Sequence, residues 1–139
     1  MTLLEKALKI SYMAHKNQVD KGGNPYYLHP IFVALNMKDD DEKIVALLHD
    51  VVEDTEITLD DLRREGFPEY IIEAIDALTR RGESYDFYIR KIKQNDLATA
   101  VKIGDLNHNL DTSRLNKITE KDLSRVEKYK KAQKYLLDG

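Results

Sequence analysis

The chain has 139 residues, a net charge of −3 and a pI near 5.8. This charge excludes a strong long-range attraction to nucleic acid or to an anionic membrane, so any chemistry on phosphate groups needs local positive charge, such as a bound cation. The absence of cysteine excludes disulfides, thiolate metal sites and cysteine nucleophiles, which leaves nitrogen and oxygen atoms as metal ligands.

The length is that of one domain, and we expect residues 1–139 to fold as one. No stretch is apolar enough for a membrane span, and the N-terminus lacks a basic region followed by an apolar run. We therefore expect a cytoplasmic protein whose partner is a small molecule rather than nucleic acid or a membrane. The sequence leaves the oligomeric state open.

The first two predicted helices flank a loop. Thr2 and Glu5 have the spacing of a capping box, and the helix that they open is expected to run to about Val19. Residues 20–25 contain aspartate, glycine, asparagine and proline, the residues that form turns, which predicts a loop. Pro30 then fits the first turn of a second helix, because no backbone donor is required there.

The third predicted helix is central. Residues 39–42 are acidic, which suits a helix N-terminus, and the helix continues to Val52 as an almost fully apolar segment. Capping and turn residues predict further helices over 58–66, 68–78, 85–93 and 95–112, and one that opens at 119. No segment shows the alternation of a strand, so the predicted fold is all-α, a single compact bundle of helices.

Four polar residues end the apolar central helix. At helical spacing, Glu53 lies one turn beyond His49. Asp54 lies one turn beyond Asp50 in the same way, so the four side chains share one side of the helix. The preceding apolar residues demand burial, and carboxylates gathered in a poorly solvated place are costly unless a cation or protons neutralise them.

A second polar stripe lies on the predicted helix 95–112. It consists of Asp105, His108, Asn109 and Thr112, whose spacing of three or four residues places them on one face. His29 stands at the junction between the loop and the second helix. Two imidazoles with two carboxylates form a mixed nitrogen and oxygen site suited to manganese, iron, cobalt or zinc.

Such a cation lowers the pKa of bound water and polarises a phosphoryl oxygen, the two requirements of phosphate ester hydrolysis. Glu53 and Asp54 are candidates for accepting the proton of that water. The structural alternative is that single histidines such as His15 and His108 are hydrogen-bonded core residues, and that the two carboxylates are surface groups. The occurrence of acidic residues inside an apolar helix favours the functional interpretation.

Four segments carry a resemblance to a known family. Residues 14–18 (A-H-K-N-Q) are similar to its A-H-x-G-Q motif, and residues 25–30 (P-Y-Y-L-H-P) to its P-Y-x-x-H-P. Residues 47–55 read L-L-H-D-V-V-E-D-T, as in the family, and residues 101–109 (V-K-I-G-D-L-N-H-N) resemble V-K-L-A-D-x-x-H-N. The chain therefore resembles the HD-domain phosphohydrolases, in particular the hydrolase domain of Rel/Spo-type alarmone enzymes and the stand-alone small alarmone hydrolases.

The resemblance implies a helical HD-domain bundle with a metal held by four residues. The implied metal ligands are His29, His49, Asp50 and Asp105. The implied water-activating pair is Glu53 and Asp54, and the implied nucleotide contacts are Lys21, Asn109 and Thr112. In this family the metal is usually manganese, and the reaction removes pyrophosphate from the ribose 3′ position of guanosine tetra- or pentaphosphate.

Three arginine positions of the alarmone enzymes carry other residues in this chain, namely Asp20, Leu106 and Asp111. Loss of arginine removes base stacking and bidentate phosphate recognition, and an aspartate repels a polyphosphate. Cations that could compensate are Lys16, Arg80, Arg81, Lys102 and Arg114. The alternatives are an HD-domain phosphatase acting on a nucleoside monophosphate or another phosphorylated metabolite, and a nucleotide-sensing module without catalysis.

Overall fold

The computed structural model describes residues 1–111 and 118–138, which form nine α-helices. The helices are α1 Leu3–His15, α2 Leu28–Leu35, α3 Asp40–Leu48, α4 Val51–Asp54, α5 Leu59–Arg64, α6 Glu69–Leu78, α7 Tyr85–Lys93, α8 Asp96–Asn109 and α9 Glu120–Leu137. These residues contain no β-strand, and one isolated antiparallel bridge joins Val19 and Pro25. The prediction of an all-α bundle is confirmed.

Side-chain caps set the beginnings of several helices. Complete capping boxes are present at Thr2, Thr58 and Thr119. Each box satisfies two backbone donors that a helix N-terminus otherwise leaves without partners, and a cap of this kind typically contributes about 1 kcal/mol. Gly66 ends the segment after α5 with a φ of 98°, a conformation that favours glycine, and Pro68 is the N-cap of α6.

The helix α3 lies at the centre of the bundle, in contact with α1, α2, α6 and α8. Its residues Val45, Ala46 and Leu48 are fully excluded from solvent. Burying one leucine or valine side chain contributes about 1.5–3 kcal/mol. The packing of α3 against α8 therefore holds His49, at the end of α3, and Asp105, on α8, in fixed relative positions.

The central helix is interrupted where the sequence predicted that it would continue. α3 ends at Leu48, His49 is its C-cap, and α4 begins at Val51. Asp50 has a φ of −103° and a ψ of −6°, which turns the chain. The amide of Asp54 still donates to the carbonyl of Asp50 at 2.9 Å. His49 and Asp50 therefore stand at a corner between two helices rather than inside one.

The sequence predicted that α1 would run to about Val19, but the helix ends at His15. The residues after it form a loop that is closed by two backbone hydrogen bonds. The amide of Tyr26 donates to the carbonyl of Gln18 at 2.9 Å, and the amide of Asp20 donates to a carbonyl across the loop at 2.8 Å. These bonds engage backbone groups that a longer helix would have used.

The helix α8 ends at Asn109, and Leu110 is its C-cap. The sequence predicted that this helix would reach Thr112, which lies outside the described residues. Among the helices described, none combines the length and the apolar character needed to cross a membrane.

Candidate metal centre

Three of the predicted metal ligands converge between α2, α3 and α8. His29, His49 and Asp105 each offer one ligand atom, and these atoms lie within 4.8 Å of one another. Nε2 of His29 lies 2.7 Å from Oδ1 of Asp105, and Nε2 of His49 lies 3.4 Å from the same oxygen. All three residues are buried. Distant parts of the sequence thus bring donor atoms to one enclosed place.

The fourth predicted ligand, Asp50, lies at the edge of this group. Its Oδ2 atom is 3.1 Å from Nε2 of His49, but Asp50 is not among the residues whose ligand atoms all lie within 4.8 Å of one another. The hydroxyl of Tyr26 donates a hydrogen bond to the same Oδ2 atom. Asp50 therefore adjoins the group with one carboxylate oxygen held by a tyrosine.

Each histidine of the group is held through its second ring nitrogen. Nδ1 of His49 lies 2.5 Å from the carbonyl oxygen of Ala46. Nδ1 of His29 lies 2.6 Å from Nδ1 of His108, whose ring is stacked between those of His29 and Phe32. With Nδ1 engaged, Nε2 of each ring faces the centre of the group, which is how proteins orient histidines that bind metals.

Asp105 uses both of its carboxylate oxygens. Nζ of Lys102 donates to Oδ2 at 2.9 Å, and Nδ2 of Asn109 donates to Oδ1 at 3.3 Å. Burial raises the pKa of Asp105, but the Lys102 ammonium, the hydrogen bond from His29 and the adjacent His49 ring outweigh burial and hold this pKa well below its usual value. The carboxylate is therefore ionised at neutral pH, as a metal ligand must be.

The charges around His49 favour a cation. Burial lowers the pKa of His49, yet the carboxylates of Asp50 and Asp105 outweigh burial and raise this pKa well above its usual value. Burial raises the pKa of Asp50, while His49 and the Tyr26 hydroxyl lower it to about 2. Among the described residues, no well-directed hydrogen bond reaches the buried Nε2 of His49. These nitrogen and oxygen donors fit a divalent transition metal.

The predicted water-activating pair lies on α4, directly after the corner that carries His49 and Asp50. The backbone amide of Arg80 donates to Oε1 of Glu53 at 2.6 Å, which ties the glutamate to the segment after α6. Partial burial, followed by the charges of Asp50 and Glu53, raises the pKa of Asp54 to about 6. Asp54 therefore exchanges its proton close to neutral pH, as a general base should.

A cavity of about 320 Å³ adjoins His29. Its walls come from the loop after α1, from the end of α8 and from α9. The lining residues include Asp20, Lys21, Tyr26, Asn109, Asp122, Arg125 and Tyr129. Lys21 and Asn109, two of the predicted nucleotide contacts, are thus brought together beside the metal group. Thr112, the third, lies outside the described residues.

Sequence reasoning missed the contribution of α9 to this cavity. Asp122 is buried and lies 3.3 Å from both Lys21 Nζ and Arg125 Nη1. The local pattern marks Asp122 only as the third helical residue of a capping box, and it accepts from the amide of Thr119 accordingly. The spacing of Arg125 and Tyr129, one helical turn apart, was the available signal for a shared face.

The three positions at which arginine is replaced have different surroundings. Oδ1 of Asp20 accepts from the amides of Gly22 and Asn24, both at 2.9 Å, so this carboxylate shapes the loop. Leu106 is fully buried in the core. Asp20 and Asp111 line the cavity, and Leu106 does not. Two of the three replacements therefore bear on recognition in the cavity.

Several known proteins are similar in sequence to this chain. The guanosine-3′,5′-bis(diphosphate) 3′-pyrophosphohydrolase of Borreliella burgdorferi is 32% identical over 77% of this chain and 18% of its own length. The bifunctional (p)ppGpp synthase/hydrolase SpoT of Escherichia coli is 30% identical over 78% of this chain and 18% of its length. A probable GTP pyrophosphokinase of Mycobacterium leprae is 30% identical over 82% of this chain and 16% of its length. No family model matches the chain.

One solved structure shares the fold. It is that of a metazoan ortholog of SpoT that hydrolyses ppGpp, and it matches 100% of this chain and 87% of its own with a TM-score of 0.82 and 22% identity. The helical bundle, together with its cluster of histidine and aspartate side chains, places the chain in the class of HD domains. Within that class the chain belongs to the Rel/Spo-like family. It spans about a sixth of the length of the curated relatives that it matches.

Proposed function

We propose that this domain is a metal-dependent phosphohydrolase that acts as a guanosine 3′,5′-bis(diphosphate) 3′-pyrophosphohydrolase. The observation that carries the proposal is the convergence of His29, His49 and Asp105, with Asp50 beside them, next to a cavity that His29 lines. Relatives named for this activity in bacteria support the choice of substrate. The partner of the domain is then a small nucleotide.

The metal that we infer is manganese, held by His29, His49, Asp50 and Asp105. When bound, a divalent cation supplies polarisation of a phosphoryl oxygen and a lower pKa for a water molecule that it binds. The nitrogen and oxygen donors suit manganese, and iron, cobalt and zinc accept the same ligands. A titration of the protein with each of these ions tests which of them it prefers.

The carboxylates on α4 handle the proton in this mechanism. Asp54, with its pKa raised to about 6, accepts a proton from the attacking water. The water oxygen bonds to the phosphorus of the 3′ diphosphate, the bond from that phosphorus to the ribose oxygen breaks, and the proton passes to the ribose oxygen. Glu53, the other member of the acidic pair, accepts a hydrogen bond from the amide of Arg80. The products are guanosine 5′-diphosphate and pyrophosphate.

The cavity holds the nucleoside part of the substrate in this proposal. Its volume of about 320 Å³ lies at the lower end of the range for small-molecule sites, about 300–1,000 Å³. Lys21 and Asn109 contact the nucleotide, together with Thr112 as the family resemblance implies. Arg125 on α9 offers a guanidinium to the cavity, a group that the three replaced arginine positions no longer provide. Tyr129, also on α9, offers an aromatic ring.

A second candidate function follows from the acidic lining of the cavity. Asp20, Asp111 and Asp122 all line it, and Asp122 pairs with the cations Lys21 and Arg125. Negative charge at these positions opposes a substrate with several phosphates. The second candidate is therefore an HD-domain phosphatase acting on a nucleoside monophosphate or another phosphorylated metabolite.

The test is a direct assay of both reactions. Manganese-loaded protein is mixed with guanosine 3′,5′-bis(diphosphate), and released pyrophosphate is measured; a panel of phosphorylated metabolites is assayed for released phosphate. We expect the manganese-loaded protein to release pyrophosphate. The His49→Ala substitution and the addition of a chelator are each expected to abolish this release. Turnover of another ester without pyrophosphate release would establish the second candidate instead.

A further inference from the structure

Two cations from different parts of the chain meet on one tyrosine ring. The guanidinium carbon of Arg80, after α6, lies 5.5 Å from the centroid of the Tyr85 ring, and Nζ of Lys128, on α9, lies 4.1 Å from it. A cation over an aromatic face gains about 0.5–2 kcal/mol, more when it is shielded from water. Two positive charges therefore lie close to the ring of Tyr85, at the start of α7.

Neither of these cations is neutralised within the part of the chain that the structure describes. No ion pair involving Arg80 or Lys128 occurs there, whereas the neighbouring Lys102 and Arg125 are paired with Asp105 and with a carboxylate of α9. Burial, and then repulsion from Arg80, Lys102 and Arg125, lowers the pKa of Lys128. Both side chains are exposed to solvent, and their combined positive charge favours a bound anion.

The cation pair adjoins the proposed reaction centre. The backbone amide of Arg80 donates to Glu53, one of the two water-activating carboxylates. The ring of Tyr85 contacts the ring of Tyr129, whose centroid is 6.4 Å away and which lines the cavity. The buried hydroxyl of Tyr85 lies within the electrostatic reach of Lys102, the partner of Asp105. These contacts connect the cation pair to residues that surround the metal group.

We propose that Arg80 and Lys128 form a phosphate subsite that binds the terminal phosphate of the 3′ diphosphate. This inference rests on the proposed function and specifies its substrate class, a nucleotide whose 3′ substituent is a diphosphate rather than a monophosphate. In this proposal the phosphoryl group under attack lies at the metal group. Only a second, terminal phosphate extends beyond that group and needs further positive charge, which an ammonium and a guanidinium supply.

The test compares Arg80→Ala and Lys128→Ala with the unsubstituted protein and with Lys130→Ala, a matched control on the exposed face of α9. Arg80→Ala retains the backbone amide that holds Glu53. Binding of inorganic pyrophosphate and of inorganic phosphate to manganese-loaded protein is measured by calorimetry. Each subsite variant is expected to bind pyrophosphate about tenfold more weakly, as for loss of one charge-assisted hydrogen bond, and to bind phosphate as the unsubstituted protein does.

The rates provide a second measurement. We expect Arg80→Ala and Lys128→Ala to lower kcat/KM for a nucleotide 3′-diphosphate and to leave kcat/KM for the corresponding 3′-monophosphate unchanged. Unchanged pyrophosphate affinity in both variants, equal losses of pyrophosphate and phosphate binding, or no pyrophosphate binding by the unsubstituted protein would overturn the subsite. Pyrophosphate binding that depends on Arg80 and Lys128, without hydrolysis of the alarmone, would support the subsite and contradict the proposed function.

Discussion

The hydroxyl of Tyr26 donates to Oδ2 of Asp50, the oxygen that also lies 3.1 Å from Nε2 of His49. Tyr26 thereby fixes the orientation of the one predicted ligand that lies at the edge of the metal group. Its ring also contacts the ring of His29, with centroids 5.7 Å apart. A single tyrosine thus supports two of the four predicted ligands.

Tyr26→Phe removes this hydroxyl and keeps the ring. We expect manganese affinity to fall by about tenfold, the lower end of the effect of losing a partner behind a metal ligand. Calorimetric titration of the metal measures the loss. Tyr27→Phe is the matched control, because it removes a hydroxyl from the adjacent residue, whose ring packs against Tyr12. Equal manganese affinity in the two variants would contradict a positioning role for the Tyr26 hydroxyl.

Addition of manganese should stabilise the fold, because a ligand that binds only the folded state shifts the unfolding equilibrium. At about 100 times its Kd, manganese contributes about 2.7 kcal/mol, which for a chain of this size corresponds to an increase of about 10 °C in Tm. His49→Ala should lose most of the increase, and Glu56→Gln, an exposed carboxylate after α4, should keep it. Scanning calorimetry with and without a chelator makes the comparison; an equal increase in both variants would place the metal elsewhere.

Asp54→Asn should stabilise the metal-free protein in a pH-dependent manner. Partial burial and the charges of Asp50 and Glu53 raise the pKa of Asp54 to about 6 in the folded chain, above the value of about 3.9 for an unfolded chain. Protonated Asp54 therefore contributes to the free energy of unfolding. This contribution is fully present below the pKa of the unfolded chain and is lost as the pH rises through about 6. The Tm advantage of Asp54→Asn in a chelator is therefore expected to grow between about pH 4 and pH 6 and to level off above about pH 7, as judged by thermal unfolding at fixed ionic strength.

The same variant should lose activity. Removal of a general base typically costs about 10²–10⁴ in rate, so Asp54→Asn is expected to lower kcat at least about 100-fold while it raises the Tm of the metal-free protein. Glu53→Gln provides the comparison, since it keeps the acceptor for the Arg80 amide. Full activity of Asp54→Asn would assign the proton transfer to another group.

Gly104→Ala should be tolerated in α8. An added Cβ would lie 2.6 Å from Cε of Met37 and 3.4 Å from Cγ1 of Val33. The nearer atom is the end of a flexible side chain that can move. Replacement of glycine by alanine inside a helix gains about 0.5–1 kcal/mol, so we expect the free energy of unfolding in urea to rise slightly. A fall of more than about 1 kcal/mol would mean that Met37 is held rigidly.

Local signals predicted much of this fold. The capping boxes at Thr2, Thr58 and Thr119 and the limits of α7 follow from side chains within a few residues of each helix end. The corner at His49 did not follow, because nothing in that apolar run breaks a helix; the interruption depends on packing between helices. Membership of the Rel/Spo-like family was also predicted and is confirmed.

Only part of the candidate site could be predicted from the sequence. Motifs identified His29, His49 and Asp105 as neighbours in space, and the structure brings them together; their role as metal ligands stays a prediction. The residues behind them, such as Tyr26 and Lys102, and the cavity residues on α9 depend on long-range packing. No local pattern in the sequence reports which helix will cover a loop that is about a hundred residues away along the chain, as for Lys21 and Asp122.

The corner between α3 and α4 has an electrostatic consequence. Since α3 ends at Leu48, the negative end of its peptide dipoles is directed at the place where His49 stands, and the carbonyl of Ala46 already engages that ring. A cation there is attracted by main-chain carbonyl groups as well as by side chains. This part of the attraction, about 0.3–1 kcal/mol for a helix end, belongs to the backbone and persists whichever side chain is replaced.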